Sequence, residues 1–162
     1  MVSIMSDTRS GAVPWHLWVV GVIAVLWNAY GGYDYIMSMT QGATYMATAG
    51  MTPEQIAFYQ AMPGWMTAVW ATGVWGGVLG SLLLLLRKRL AFPVFAVSFA
   101  AFLLSLLCTY GISDGGKVMG FMMKDGVKVA SSTIVIMNVV IATGCAAFTG
   151  YAWTMAKRGV LR

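Results

Sequence analysis

Apolar residues in this chain gather into four long runs, separated by shorter stretches where glycine, proline and charge collect. The runs cover residues 15–35, 64–86, 90–112 and 133–156, and the only charge inside them is Asp34, near the far end of the first. A helix rises 1.5 Å per residue, so about 20 residues cross a hydrocarbon layer ~30 Å thick. Each run is long enough. A membrane β-barrel would instead alternate over segments of about ten residues. The pattern therefore predicts an all-α fold: one transmembrane domain, 1–162, built as an integral membrane four-helix bundle.

The segments between the runs set its orientation. Arg87, Lys88 and Arg89 fill the turn between the second and third spans, Lys157, Arg158 and Arg162 follow the fourth, and Arg9 precedes the first. On the other side lie Lys117, Lys124 and Lys128 with four acids, Asp34, Glu54, Asp114 and Asp125. Short loops rich in Lys and Arg stay in the cytoplasm. The expected topology has both termini cytoplasmic in a bacterial inner membrane. Composition agrees: 59% of the 162 residues are hydrophobic and 9% charged, against about a quarter charged in soluble domains. The mean hydropathy is +0.77. Topology alone accounts for the pI near 9.4, and no nucleic-acid partner is needed. The first run exceeds the 7–15 residues typical of a signal-peptide core, and no A-x-A site follows it, so it reads as an uncleaved anchor.

Residues 1–13 read as a loose cytoplasmic tail. In the first outer loop, TPEQIAFYQAM (52–62) carries Thr52 as an N-cap, Pro53 at the first helical position and Gln55 three residues after the cap. That is a capping box, and it predicts a short interfacial helix closed by Pro63-Gly64. In the second outer segment, Asp125-Gly126 favours a two-residue β-hairpin, with an extension of the fourth span as the competing reading. Pro93 falls in the first turn of the third span, where its missing N–H is harmless. No internal repeat is evident, so the inverted-repeat signature of many transporters is missing.

Candidate chemistry concentrates in the outer half. Asn28 lies ~20 Å along the first span and Asp34 ~28 Å, at the outer boundary. Gly31-Gly32 between them should loosen the end of that helix, leaving Tyr30, Tyr33 and Tyr35 as interfacial anchors. Trp70 on the second span, Thr109 on the third and Asn138 on the fourth fall at similar depth, while the inner half is Leu82 to Leu86, Phe92 and Phe95. The functional reading is a ligand cavity open outward, lined by Asn28, Asp34, Trp70, Thr109 and Asn138. The plainer reading is interhelical hydrogen bonds worth about 0.6 kcal/mol each. Asn28 should face the bundle, and Asp34 should meet water or a lysine of the second outer loop. Gly73, Gly76, Gly77 and Gly80 form two overlapping GxxxG patterns, a packing interface either for another chain or for Ala142, Ala146 and Gly150 of the fourth span.

The outer loops are rich in methionine, with Met37-Ser38-Met39 at a spacing that suits Cu(I). Methionine is also a common gap-filler, and no metal is expected. Cys108 and Cys145 differ in depth by more than the ~7 Å that a disulfide spans. The lone histidine, His16, cannot supply bis-histidine haem ligation. Mid-bilayer carboxylates, phosphate loops and zinc-protease motifs are all missing, so neither an enzyme nor a cofactor is expected.

With WHLWVVG at 15–21, LWNAYGGYDY at 26–35, MTPEQ at 51–55 and VWGGVLGSLLLLLRKRLAFPVF at 74–95, the chain resembles an uncharacterised family of small bacterial inner-membrane proteins. Some of its members are labelled sugar transporters, and the resemblance implies four transmembrane helices. Two functions are expected to compete. One is an accessory or scaffold subunit of a larger membrane assembly, held by other membrane subunits or by self-association through the second span. The other is a small-solute transporter, for instance of a sugar, acting as an oligomer.

Overall fold

A computed structural model describes residues 13–162; the expected tail lies, but for Val13, outside the described residues. The chain is mostly helical, as the apolar runs predict. In order it forms α1 (Trp15–Gln41), α2 (Ala43–Thr48), α3 (Pro53–Gln60), α4 (Gly64–Leu85) and α5 (Ala91–Leu107), which a π-helical turn (Cys108–Ile112) continues. Then come α6 (Gly115–Val118), strands β1 (Phe121–Lys124) and β2 (Val127–Ala130), and α7 (Thr133–Lys157). Among the described residues three helical segments are long and apolar enough to cross a membrane: α4, α5 with its π turn, and α7. Though α1 is the longest helix at 27 residues, its His16, Asn28, Asp34 and several tyrosines dilute its apolar character.

The first helix does not end near Tyr35. It passes through Gly31-Gly32 and stops only at Gly42, whose φ of 53° breaks the helical path. Packing explains why a glycine pair fails to loosen it. Helix α4 packs against the second of the pair: a Cβ at Gly32 would lie at ordinary contact distance from Val78, 3.6 Å, and from the Trp75 ring, 3.9 Å. Close contact there outweighs the conformational freedom of glycine, worth about 1 kcal/mol.

Helix α4 lies between α1 and α5, and α7 packs on α5. The glycine stripe of α4 is filled within the chain, but its partners are α5 and α1, not the small residues of α7. A Cβ at Gly76 would meet Ser98 Cβ at 2.9 Å, one at Gly80 would meet the Phe95 ring at 2.8 Å, and one at Gly77 would strike Asn28 Oδ1. Gly73 faces the Ser98 carbonyl at 3.7 Å. Ser98 seals this contact by donating to the Gly73 carbonyl at 2.5 Å. On α7, Gly150 faces open space and Ala146 is exposed.

The two ends of the bundle differ. At the end carrying Arg87, Lys88, Arg89 and the C-terminus, a core of Leu17, Leu84, Ala91, Phe95, Ala152, Met155, Val160 and Leu161 is closed. The C-terminal residues fold back onto the basic turn: Arg162 N–H donates to the Arg87 carbonyl at 2.6 Å and Arg89 N–H to the Arg162 carbonyl at 2.9 Å. Arg87 sits at φ 57°. His16 Nδ1 and the Tyr151 hydroxyl, 2.6 Å apart, join α1 to α7.

The opposite end is a cap. Thr52 and Gln55 make the expected capping box, with Thr52 N–H donating to Gln55 Oε1 at 2.8 Å and Gln55 N–H to Thr52 Oγ1 at 3.3 Å. The hairpin forms as well, with Phe121 opposite Ala130 and Asp125-Gly126 at φ 51° and 78°. Two positive φ values are what a type I′ turn requires, so the competing extension of α7 does not occur. The expected interfacial helix, α3, is not merely laid on a surface. Gln55 is fully buried and donates to the carbonyls of Val118 at 2.8 Å and Phe121 at 2.7 Å, binding α3 to the second outer segment.

Candidate functional site

Beneath this cap the bundle is hollow. A cavity of about 750 Å³ lies between α1, α4, α5 and α7 and under α2 and α3, within the ~300–1,000 Å³ range of ligand sites. It brings together all five candidates, Asn28, Asp34, Trp70, Thr109 and Asn138. Their hydrogen bonds differ sharply, and the differences assign them different parts.

Asn28 belongs to the floor. Its amide nitrogen donates to the Ala24 carbonyl at 2.8 Å and to Ser81 Oγ at 3.0 Å, and Ser81 lies 3.1 Å from that same carbonyl. Both N–H groups are thereby engaged, as an amide remote from water requires. Its Oδ1 rests against Gly77. Asn28 thus faces the bundle, as expected, and ties α1 to α4.

Asp34 stands in the wall below the cap. The expected lysine partner from the second outer segment is not there. Asp34 Oδ1 accepts from the Tyr45 hydroxyl at 2.8 Å, because α1 runs on past Tyr35 and returns α2 over its own last turns. Lys128 instead pairs with Glu54 at 2.9 Å, and Lys117 with Asp114 at 2.6 Å. The hydrogen bond to Asp34 holds the Tyr45 phenol up at about 12, so Tyr45 stays a donor throughout the physiological range. No Lys, Arg or His lines the cavity among the described residues.

Trp70 carries its ring edge-to-face on Tyr35, centroids 4.9 Å apart, and tilted on Tyr59 at 6.2 Å. Such pairs fix aromatic walls and are worth about 0.5–1.5 kcal/mol each. Thr109 lies in the π-helical turn, where one extra residue per turn re-aims side chains, a feature frequent at functional sites. Asn138 donates to the Tyr110 hydroxyl at 3.0 Å across α5 and α7. The Ser105 hydroxyl is buried with no partner among the described residues, and it too lines the cavity. A buried hydroxyl left unpaired invites a ligand atom or a water.

Sequence reasoning missed the roof. Tyr45, Met46, Tyr59 and Met62 line the cavity from α2 and from the α3 segment. Burial pushes the Tyr59 phenol up to about 12. Of the loop methionines that suit Cu(I), Met46, Met51 and Met119 serve here as apolar lining, beside Met62 and Met66. Met37 and Met39 lie two positions apart within α1, so their side chains leave the helix about 200° apart and cannot chelate. Among the described residues no His, Cys, Asp and Glu group has the makings of a metal site. Cys108 and Cys145 are both free thiols, Cys108 buried and Cys145 on the cavity wall.

Against protein-family models, curated proteins and solved structures, the chain finds no match, so the chemistry of the cavity itself must carry the functional argument.

Proposed function

We propose that this protein is a non-enzymatic integral membrane protein that binds a small, largely apolar molecule in the cap-end cavity, as a small-solute transporter working as an oligomer. The observation that carries the reading is the cavity of about 750 Å³. A bundle built only for packing would close over Asn28, Thr109 and Asn138 as it closes over Leu17 and Leu84. The lining is mainly Met, Leu, Ile and aromatic carbon. A sugar, with a hydroxyl on nearly every carbon, is poorly served by it, because Asn28 already donates both amide hydrogens within the bundle.

In this reading α1 is the fourth span, the basic end faces the cytoplasm of a bacterial cell and the cap faces outward. Support comes from the cations of 87–89 and 157–162 at one end and four of the five acids at the other. A cysteine placed at Gly115 should react with an impermeant thiol reagent from outside. Labelling from the cytoplasmic side alone would reverse the orientation.

A second reading, an accessory subunit of a larger assembly, is favoured by α7. None of the residues in its most apolar stretch is buried, against 22% in α4 and 28% in α5, which leaves a face for a partner helix. Purification of the natively expressed, tagged protein in mild detergent, followed by native mass spectrometry, separates the two. A homo-oligomer carrying a bound small molecule supports the binding reading. Reproducible partner subunits with an empty cavity support the other.

A further inference from the structure

We propose that the ligand of this cavity is a cationic amphiphile, an ammonium- or phosphonium-type head on an apolar body, with Asp34 as its counter-ion. The inference rests on the binding reading above and names its ligand class.

Three observations carry it. First, the charge is one-sided. Among the described residues Asp34 is the only carboxylic acid on the cavity wall, and no Lys, Arg or His faces it there. The other paired acids among the described residues are matched by lysines outside the cavity, Glu54 by Lys128 and Asp114 by Lys117. Asp34 receives, among the described residues, a single neutral donor, Tyr45, on one oxygen. A carboxylate attracts a cation and repels an anion, the more so the less water stands between them.

Second, aromatic side chains share the cavity with that carboxylate. Tyr30, Tyr45, Tyr59, Trp70 and Tyr110 line the same space. Aromatic faces attract a desolvated, weakly hydrated cation, and their attraction adds to that of a carboxylate. An anionic or strongly hydrated solute gains nothing from them.

Third, the rest of the wall suits a carbon skeleton and opens toward lipid. Helices α1 and α7 meet at the basic end through His16 and Tyr151, and a Cβ at Gly144 would touch the Trp27 ring at 3.4 Å. Around and beyond that point their cavity-lining Leu26, Tyr30 and Met137 are 67%, 67% and 52% exposed. An apolar body therefore meets hydrocarbon-like surface along the seam between these helices.

The test uses two probes of the same shape and opposite charge, tetraphenylphosphonium and tetraphenylborate, with the purified full chain in lipid nanodiscs. The phosphonium should bind at least about tenfold more tightly than the borate, the scale set by one charge-assisted contact. Asp34→Asn keeps size and an acceptor for Tyr45, and should erase the difference. Tyr45→Phe keeps the charge and should preserve it. Equal binding of both ions, or unchanged phosphonium affinity in a folded Asp34→Asn protein, overturns the assignment. Alkylation of Cys145, followed in a Cys108→Ala background, tells this failure from failure of the cavity reading. If a neutral apolar probe slows alkylation and the phosphonium does not, only the charge assignment falls. If no probe of any charge slows it, both fall.

Discussion

The basic end and the cap end of this bundle are built from the same helices and solve opposite problems. At the basic end small and branched side chains interlock, the C-terminus folds over the 87–89 turn, and Leu17, Leu84, Ala91 and Ala152 are wholly buried. At the cap end the same four long helices separate around a cavity, and hydrogen bonds between side chains hold what packing does not. In lipid no hydrophobic effect draws helices together, so close backbone approach and hydrogen bonds must do so. The glycine stripe of α4 supplies the first at mid-bundle, and the cap supplies the second. The candidate site lies where the bundle is least closed, on a scaffold packed more tightly elsewhere.

That contrast predicts unequal costs for the same truncation. Leu84→Ala should destabilise the protein by about 2–4 kcal/mol, since it empties a filled volume. Met137→Ala, on the half-exposed cavity wall, should cost less than about 1 kcal/mol. Unfolding in detergent by heat or denaturant reads both. Equal losses would mean that the cap half is packed as tightly as the basic half.

The next largest effect concerns the glycines. Gly80→Ala drives a methyl into the Phe95 ring, at 2.8–3.0 Å from three of its carbons, and should cost about 1–3 kcal/mol as overpacking does. Gly150→Ala meets nothing within 4 Å and should be neutral or stabilising by up to about 1 kcal/mol, the helix-propensity difference. If Gly80→Ala instead leaves stability intact while dissociating an oligomer, the stripe serves another chain and its contacts with α5 are incidental.

How far the sequence reveals this molecule follows the same division. The spans are legible because hydrocarbon thickness and helix rise leave one arithmetic, and the observed bounds of α4, α5 with its π turn, and α7 fall within a residue of the expected ones. The capping box and the Asp125-Gly126 turn are legible because their chemistry is local. Gly31-Gly32 misled because a glycine pair reads as a break, whereas here Val78 and Trp75 of α4 pack beside Gly32 and the helix runs on. The partner of the glycine stripe was illegible for a related reason. A row of missing side chains says that something comes near and does not say which helix. In the site, depth along each span brought Asn28, Asp34, Trp70, Thr109 and Asn138 to the same half of the bundle. The roof from Tyr45, Met46 and Tyr59 depends on a fold-back of α2 and α3 that no periodicity announces.

Gln55 offers a sharper probe of the cap itself. Gln55→Ala leaves the Val118 and Phe121 carbonyls and the Thr52 N–H without their partner, a loss of about 1–2 kcal/mol where the groups stay dry. The effect should be local. Amide exchange across 115–131 should accelerate about tenfold while the midpoint of global unfolding moves little, since the basic-end core is untouched. An equal drop in global stability would show that cap and bundle unfold as one unit.

The smallest effect tests whether charge helps to hold the cap. Lys128 Nζ lies 2.9 Å from Glu54 Oε1 and bridges β2 to α3. Its hydrogen bond pulls the Glu54 carboxyl from 4.5 down to about 2. Because the folded value is depressed, the pair contributes fully above about pH 4.5, and the contribution disappears as pH falls from there through about 2. Both groups are solvent-exposed, so screening keeps the effect small. In Glu54→Gln the carboxylate is gone at every pH. The ratio of hairpin amide exchange between variant and parent, taken at each pH so that intrinsic rates cancel, should stand above one from pH 5 to 7, by no more than about threefold. It should shrink toward one as pH approaches 2, and toward one at neutral pH as salt rises to about 1 M, where the screening length is about 3 Å. A ratio of one at neutral pH and low salt would assign the closure of the cap to Gln55 and the turn alone, and a ratio that grows on acidification would contradict the bridge outright.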